Sequence, residues 1–177
     1  MKFALKVDDK HCWGCKACEV ACKQEHRAPT GVKLIRVGEA RPAGTNGRAD
    51  STFIVNLCRH CEEPPCVPAC SLRAITKRDD GIVFLDRGRC TGCGTCAKAC
   101  PFGAVAMGEP GEPAWKCNMC LHRVENDLIP SCADNVCLAH CVYFGDARHI
   151  DRMIEEKSWL KQRLEGALGS MVIRVGV

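Results

Sequence analysis

Aromatic side chains make up only 5% of the 177 residues, and there is a single Tyr. So few rings leave little for stacking on bases, and Lys and Arg are spread along the chain rather than clustered, so nucleic acid is not expected as a partner. Long apolar runs are also missing. No stretch approaches the roughly 18 residues of a membrane span. The first residues, MKFALKVDDKHCWGC, carry charges at positions 2, 6, 8, 9 and 10, with no apolar core of the signal-peptide kind and no twin-arginine pair. The expectation is a soluble chain with no direct membrane span, in a reducing compartment where thiols can bind metal. No acid/base or nucleophile constellation would make it catalytic alone.

Cysteine is what the chain has in excess. Its 17 cysteines cannot all pair into disulfides and are too dense for an ordinary cytosolic enzyme of this length. They fall into four groups of similar design. Cys12, Cys15, Cys18 and Cys22 read C-x2-C-x2-C-x3-C, as do Cys90, Cys93, Cys96 and Cys100, which are followed by Pro101. Cys58, Cys61, Cys66 and Cys70 read C-x2-C-x4-C-x3-C, and the last group opens with Cys117 and Cys120 before a longer gap to Cys132. This is an internal repeat. GCGTCA (residues 92–97) formally matches a dinucleotide-binding fingerprint, but Cys93 and Cys96 inside it fit a metal-binding loop better.

A cubane needs four thiolates around one compact object, and a C-x2-C-x2-C loop supplies three from one segment, with its backbone N–H groups turned toward the sulfurs. The fourth cysteine, after x3, lies on a helix and points away; in two-cluster ferredoxins it serves the partner cluster. Four groups therefore make two pairs. Four oxidised cubes would bring the formal charge of +4 to roughly −4, so the basic balance says nothing about nucleic acid. Zinc fits poorly, because it typically takes two C-x2-C pairs per ion. A disulfide scaffold needs an oxidising address that the N-terminus does not supply.

FALKVD (3–8) alternates like a strand, and ACEVACKQEH (17–26) holds no helix breaker. ITKRDDGIVFLD carries a hairpin signal at Asp80-Gly81, and residues 38–51 look like a polar surface connection. Ile150, Ile154, Leu160 and Leu164 mark an amphipathic helix, and SMVIRVGV reads as a closing strand. His11, His60 and His122 lie near the cysteine loops and could donate hydrogen bonds to sulfur. Trp13 is expected to shield a cube from water, and Pro64 and Pro65 to stiffen the longer loop.

The stretches CWGCKACEVACKQEH, CRHCEEPPCVPAC, CTGCGTCAKACPFGAV and KCNMCLHRVENDLIPSC, with YFGD beyond, resemble the four-cluster ferredoxin-like iron-sulfur subunits of molybdenum and tungsten pterin oxidoreductases. These include subunits of dimethyl sulfoxide reductase, formate dehydrogenase and polysulfide reductase. The resemblance implies an α+β fold of two pseudo-symmetric bacterial-ferredoxin-like units. The outer one is 1–37 plus 111–147 and the inner one 52–110, with 148–177 as a C-terminal helix and strand. It implies four 4Fe-4S clusters. Cys12, Cys15 and Cys18 would share one with a late cysteine, and Cys22 would join Cys117, Cys120 and Cys132. Cys58, Cys61 and Cys66 would pair with Cys100, while Cys70 would join Cys90, Cys93 and Cys96.

The function implied is electron transfer by a non-catalytic subunit of a hetero-oligomer. It would connect a larger molybdenum or tungsten pterin subunit, one resembling aldehyde oxidoreductases among the options, with a second redox protein such as a ferredoxin or flavoprotein. The location expected is cytoplasmic, with export alongside a signal-bearing partner left open. A free polyferredoxin carrier and a structural zinc module are the alternatives. Ser71 and Leu138 replace the Pro usual after those ligands, and the step from Cys132 to Cys137 is one residue longer than the family's.

SCADNVCLAHC (131–141) holds three cysteines where two are needed. Four residues after Cys70 stands Ala74, then Ile75; four after Cys100 stands Ala104, then Val105. Four after Cys137 comes Cys141, then Val142, whereas four after Cys141 comes Gly145, then Asp146. Only Cys137 keeps the order of packing residue, then β-branched residue. The resemblance agrees, because Phe144 of the FGD stands seven residues after Cys137. Cys137 is therefore the expected ligand, and Cys141 a buried free thiol that behaves as a small hydrophobe.

Overall fold

The computed structural model describes residues 1–40, 52–133 and 136–157. Its elements are short because the cysteine loops interrupt every periodic run. The strands form four antiparallel pairs. β1 (Phe3–Val7) pairs with β8 (Val142–Asp146), and β2 (Ile35–Ala40) with β3 (Thr52–Leu57). β4 (Ile75–Lys77) pairs with β5 (Val83–Leu85), and β6 (Val105–Ala106) with β7 (Trp115–Lys116). The helices are α1 (Ala17–His26), α2 (Thr95–Ala99) and α3 (Leu121–Val124), with α4 described over 150–157. The fold is a small α+β one.

The expected strand, helix and hairpin form where the sequence places them. In β1, Leu5 is buried opposite Phe144, and Phe3 stacks on the Phe144 ring at 5.2 Å. Between β4 and β5, Gly81 takes a φ of +86°, and the Arg78 N–H closes the turn on Ile82 O at 2.9 Å. α1 ends at Arg27 in the left-handed region, where the Ala28 N–H reaches back to Lys23 O.

One boundary needs correction. The polar connection expected at 38–51 begins later, because Gly38, Glu39 and Ala40 pair with Ile54, Phe53 and Thr52. Ladder hydrogen bonding overrides the composition there. Glu19 of α1 anchors the same strand, accepting the Val37 N–H at 2.6 Å and the Lys33 ammonium at 2.5 Å. Residues 41–51, the end of the C-terminal helix beyond 157 and the expected closing strand lie outside the described residues.

Cysteine takes the place that aliphatic and aromatic side chains hold in other cores. The larger core packs Leu5, Leu34, Ile82 and Met119 among Cys18, Cys22, Cys58, Cys117, Cys132, Cys137 and Cys141. The smaller gathers Ala74, Ile75, Val83, Leu85 and Val105 around Cys66 and Cys96. One backbone device recurs in all four groups. The residue before each second cysteine has positive φ: Gly14 at +68°, His60 at +46°, Gly92 at +71° and Met119 at +54°. A second device follows Cys70, Cys100 and Cys137, where Arg73, Gly103 and His140 are left-handed just before the buried Ala74, Ala104 and Cys141.

Candidate metal centre

The x3 spacing puts Cys18 and Cys22 one turn apart on α1, both buried, so that one short helix serves two sulfur clusters. At the first, burial pushes the Cys18 thiol up to about 12, and the neighbouring Cys137 and Cys12 thiolates add to the shift, followed by Cys15. Cys12, Cys15, Cys18 and Cys137 are thus brought together. At the second, burial holds Cys132 well above the ordinary thiol range, with Cys117, Cys22 and Cys120 as its main charged neighbours. Cys22 is raised in the same way, by burial first and then by Cys117 and Cys120.

The other two quartets line cavities. One cavity is walled by Cys58, Cys61, Cys66 and Cys100, with His60, Val83 and Lys116 beside them. The next is walled by Cys70, Cys90, Cys93 and Cys96, with Ile75 and Leu85 beneath. In each, three sulfurs come from one group and the fourth from the other group of the pair. The second and third quartets adjoin: Cys117 is pushed up to about 12 by burial and then by Cys58, against the lowering effect of Lys116. Cys15 and Cys93 alone among the cysteines are exposed, and they belong to the first and last quartets.

Backbone N–H groups aim at these sulfurs. Ala74 donates to Cys70 Sγ at 3.3 Å, Ala104 to Cys100 Sγ at 3.4 Å, and Cys141 to Cys137 Sγ at 3.3 Å. Ala114 donates to Cys90 Sγ and Met119 to Cys117 Sγ, both at 3.4 Å. Such donors favour the thiolate form and thus suit sulfur bound to iron. Four sulfurs around a compact space, in apolar surroundings and with N–H groups turned inward, form a donor set that fits a 4Fe-4S group.

Some side chains stand apart from the sequence reading. His11 Nδ1 is bound to Asp8 at 2.6 Å and His122 Nε2 to Glu25 at 2.6 Å, so each ring spends one nitrogen on a carboxylate. Trp13 is 65% exposed and does not form the expected shield. His26 was missed: its Nε2 lies 3.3 Å from Cys120 Sγ, and Ser131 Oγ lies 3.7 Å from the same sulfur. Its signal was its place four residues after Cys22, one further turn along α1. Lys116 was missed too, although it directly precedes Cys117.

A 4Fe-4S dicluster domain model matches residues 49–147, and a 4Fe-4S binding domain model matches residues 10–31. A tetrathionate reductase subunit of Salmonella typhimurium is 34% identical over 148 residues, which are 83% of this chain and 59% of that protein. The thiosulfate reductase electron transfer subunit of Salmonella typhi is 34% identical over 166 residues, 92% of this chain and 86% of the relative. The formate dehydrogenase iron-sulfur subunit of Wolinella succinogenes is 33% identical over 172 residues, 85% of this chain and 84% of that subunit. The chain thus spans about three fifths of the tetrathionate reductase subunit and most of the other two. Among the described residues no helix is long and apolar enough to cross a membrane.

Proposed function

The chain belongs to the 4Fe-4S dicluster-domain family, and from that premise we propose that it is the non-catalytic electron-transfer subunit of a hetero-oligomeric oxidoreductase, with four 4Fe-4S clusters. The clusters would be held by Cys12, Cys15, Cys18 and Cys137; by Cys22, Cys117, Cys120 and Cys132; by Cys58, Cys61, Cys66 and Cys100; and by Cys70, Cys90, Cys93 and Cys96. The two outer groups form one ferredoxin-like unit (1–37 plus 111–147), and the two inner groups a pseudo-symmetric second unit (52–110). Support for that symmetry comes from the left-handed residue before each second cysteine.

The observation that carries the electron-transfer reading is the distribution of exposure along the quartets. The first and last each present one exposed cysteine, Cys15 and Cys93, while the two between them present none. When bound, each cluster supplies a one-electron couple whose potential depends on hydrogen bonds to sulfur and on solvent. The protein's work is to hold the sulfurs in fixed order, to keep water from the two middle positions and to offer a contact point at either end. One end would meet a larger molybdenum or tungsten pterin subunit and the other a second redox protein, in a cytoplasmic complex. The relatives are reductase and dehydrogenase subunits, which supports a catalytic companion.

Native purification under anaerobic conditions tests this reading. A larger subunit containing molybdenum or tungsten should copurify at equal stoichiometry and survive moderate salt, as permanent interfaces do. A fully active, metal-complete monomer recovered from native cells would replace the subunit reading with a free carrier.

A further inference from the structure

His60 occupies a position that the repeat otherwise gives to glycine or to a core side chain. Its counterparts before the second cysteine are Gly14, Gly92 and Met119, and its own φ is +46°. A non-glycine residue in this region carries strain of order 1 kcal/mol and persists where its surroundings hold it there. Met119 is accounted for by burial, since it is fully enclosed in the larger core. His60, 7% exposed, puts a polar ring into a comparable interior.

The ring's protonation follows from its partners. The Val83 N–H donates to Nδ1 at 2.9 Å, so Nδ1 must be the acceptor. In the neutral imidazole Nε2 then carries the proton. That Nε2 is buried and has no hydrogen-bond partner among the described residues. The ring lines the cavity shared by Cys58, Cys61, Cys66 and Cys100. An orphaned donor in such a place calls for an acceptor within the cavity.

A second donor faces the same space. Lys116 is buried, lines the cavity, and gives its hydrogen bonds to two neutral carbonyls, Val83 O at 2.6 Å and Cys117 O at 2.9 Å. No carboxylate pairs with it among the described residues. A buried ammonium without a countercharge is costly, and the sulfurs lining the same cavity would supply one when they hold a cluster.

We infer that His60, through its Nε2–H, and Lys116, through its charge, are tuning residues that raise the reduction potential at the quartet of Cys58, Cys61, Cys66 and Cys100. The inference rests on the electron-transfer reading above. The step it favours adds one electron from a neighbouring relay position, and both side chains keep their protons. Extra negative charge at the sulfurs strengthens the Nε2–H hydrogen bond and the attraction to the ammonium, so the reduced form gains more than the oxidised one.

The test uses the full chain with its clusters in place, titrated against potential and followed by electron paramagnetic resonance. His60→Phe keeps the ring volume and removes the donor. One midpoint should fall while iron content stays unchanged, with the reduced-to-oxidised ratio at fixed potential dropping about threefold. Lys116→Met should lower that same midpoint by about tenfold in the ratio, 59 mV for one electron, and also affect the adjoining position at Cys117. Histidine labelled with ¹⁵N should show a hyperfine coupling that His60→Phe removes, leaving the separate coupling of His26 beside Cys120, a change that a purely structural role would not produce. Should the Phe variant fail to assemble, His60→Gly, suited to the same backbone, takes its place. Full iron with unchanged midpoints and unchanged coupling overturns the inference and leaves the electron-transfer reading standing. Wild-type protein that binds no iron-sulfur cluster overturns both.

Discussion

Cys141 lies 3.6 Å from Cys137, sulfur to sulfur, and its own N–H points at the Cys137 sulfur from 3.3 Å. The same bond runs from Ala74 to Cys70 and from Ala104 to Cys100, so Cys141 stands where the other groups place a small alanine. The two thiols differ in character. Burial works against the Cys137 thiolate, but hydrogen bonds from Cys141, Val142 and Ala139 bring it below the ordinary range. Burial, then the Cys137 charge, then Cys12 push the Cys141 thiol up.

Cys137→Ser should therefore disrupt the cluster assigned to Cys12, Cys15 and Cys18, with a loss of up to about four iron per chain or a three-iron remnant. Cys141→Ala should leave iron content unchanged. Iron analysis of both proteins decides the matter, and the reverse pattern would show that Cys141 is the ligand.

Gly92 and Gly94 flank Cys93, and both have positive φ, +71° and +75°. They differ in what a side chain would meet. A Cβ at Gly92 would stand 2.2 Å from the carbonyl oxygen of Glu112, whereas nothing lies within 4 Å of one at Gly94. Gly92→Ala should destabilise the loop by roughly 2–4 kcal/mol, overpacking included, and Gly94→Ala by about 1 kcal/mol from backbone strain. The half-life of the visible absorption in the presence of a chelator should rank wild type above Gly94→Ala and Gly94→Ala above Gly92→Ala. Equal half-lives for the two variants would contradict the steric argument.

Local features were the legible part of the sequence. α1 is uninterrupted by Gly or Pro, β1 sets Phe3, Leu5 and Val7 at alternate positions, and Asp80-Gly81 names its turn. The Cys141 position was legible as well, because the repeat compares three groups that share one local geometry. The pairing of β1 with β8 was not: it joins Phe3 to Asp146 across the whole cysteine array, and a five-residue strand carries no address for so distant a partner. The start of the polar connection was misjudged because Gly38 and Glu39 suit a turn in isolation and are held in β2 only by the opposite strand. His26 had a spacing signal, but the roles of His60 and Lys116 depend on what shares their cavity, which spacing cannot report.

Glu19 is a buried carboxylate that joins α1 to β2. Glu19→Ala leaves the Val37 N–H without its acceptor and should cost about 1–3 kcal/mol. Lys33 is half-exposed, and Lys33→Ala should cost less than about 1 kcal/mol because solvent screens that end of the ion pair. Denaturant midpoints of the cluster-loaded proteins check the order. A larger loss from Lys33→Ala would move the anchor from the backbone hydrogen bond to the ion pair.

The central claim is that four cysteine quartets hold four 4Fe-4S clusters in one relay. Its most direct test is iron and acid-labile sulfide per chain in anaerobically purified protein. The account predicts about 16 of each. Iron near zero with stoichiometric zinc, or a full complement that survives Cys22→Ser, Cys70→Ser and Cys100→Ser alike, would contradict it.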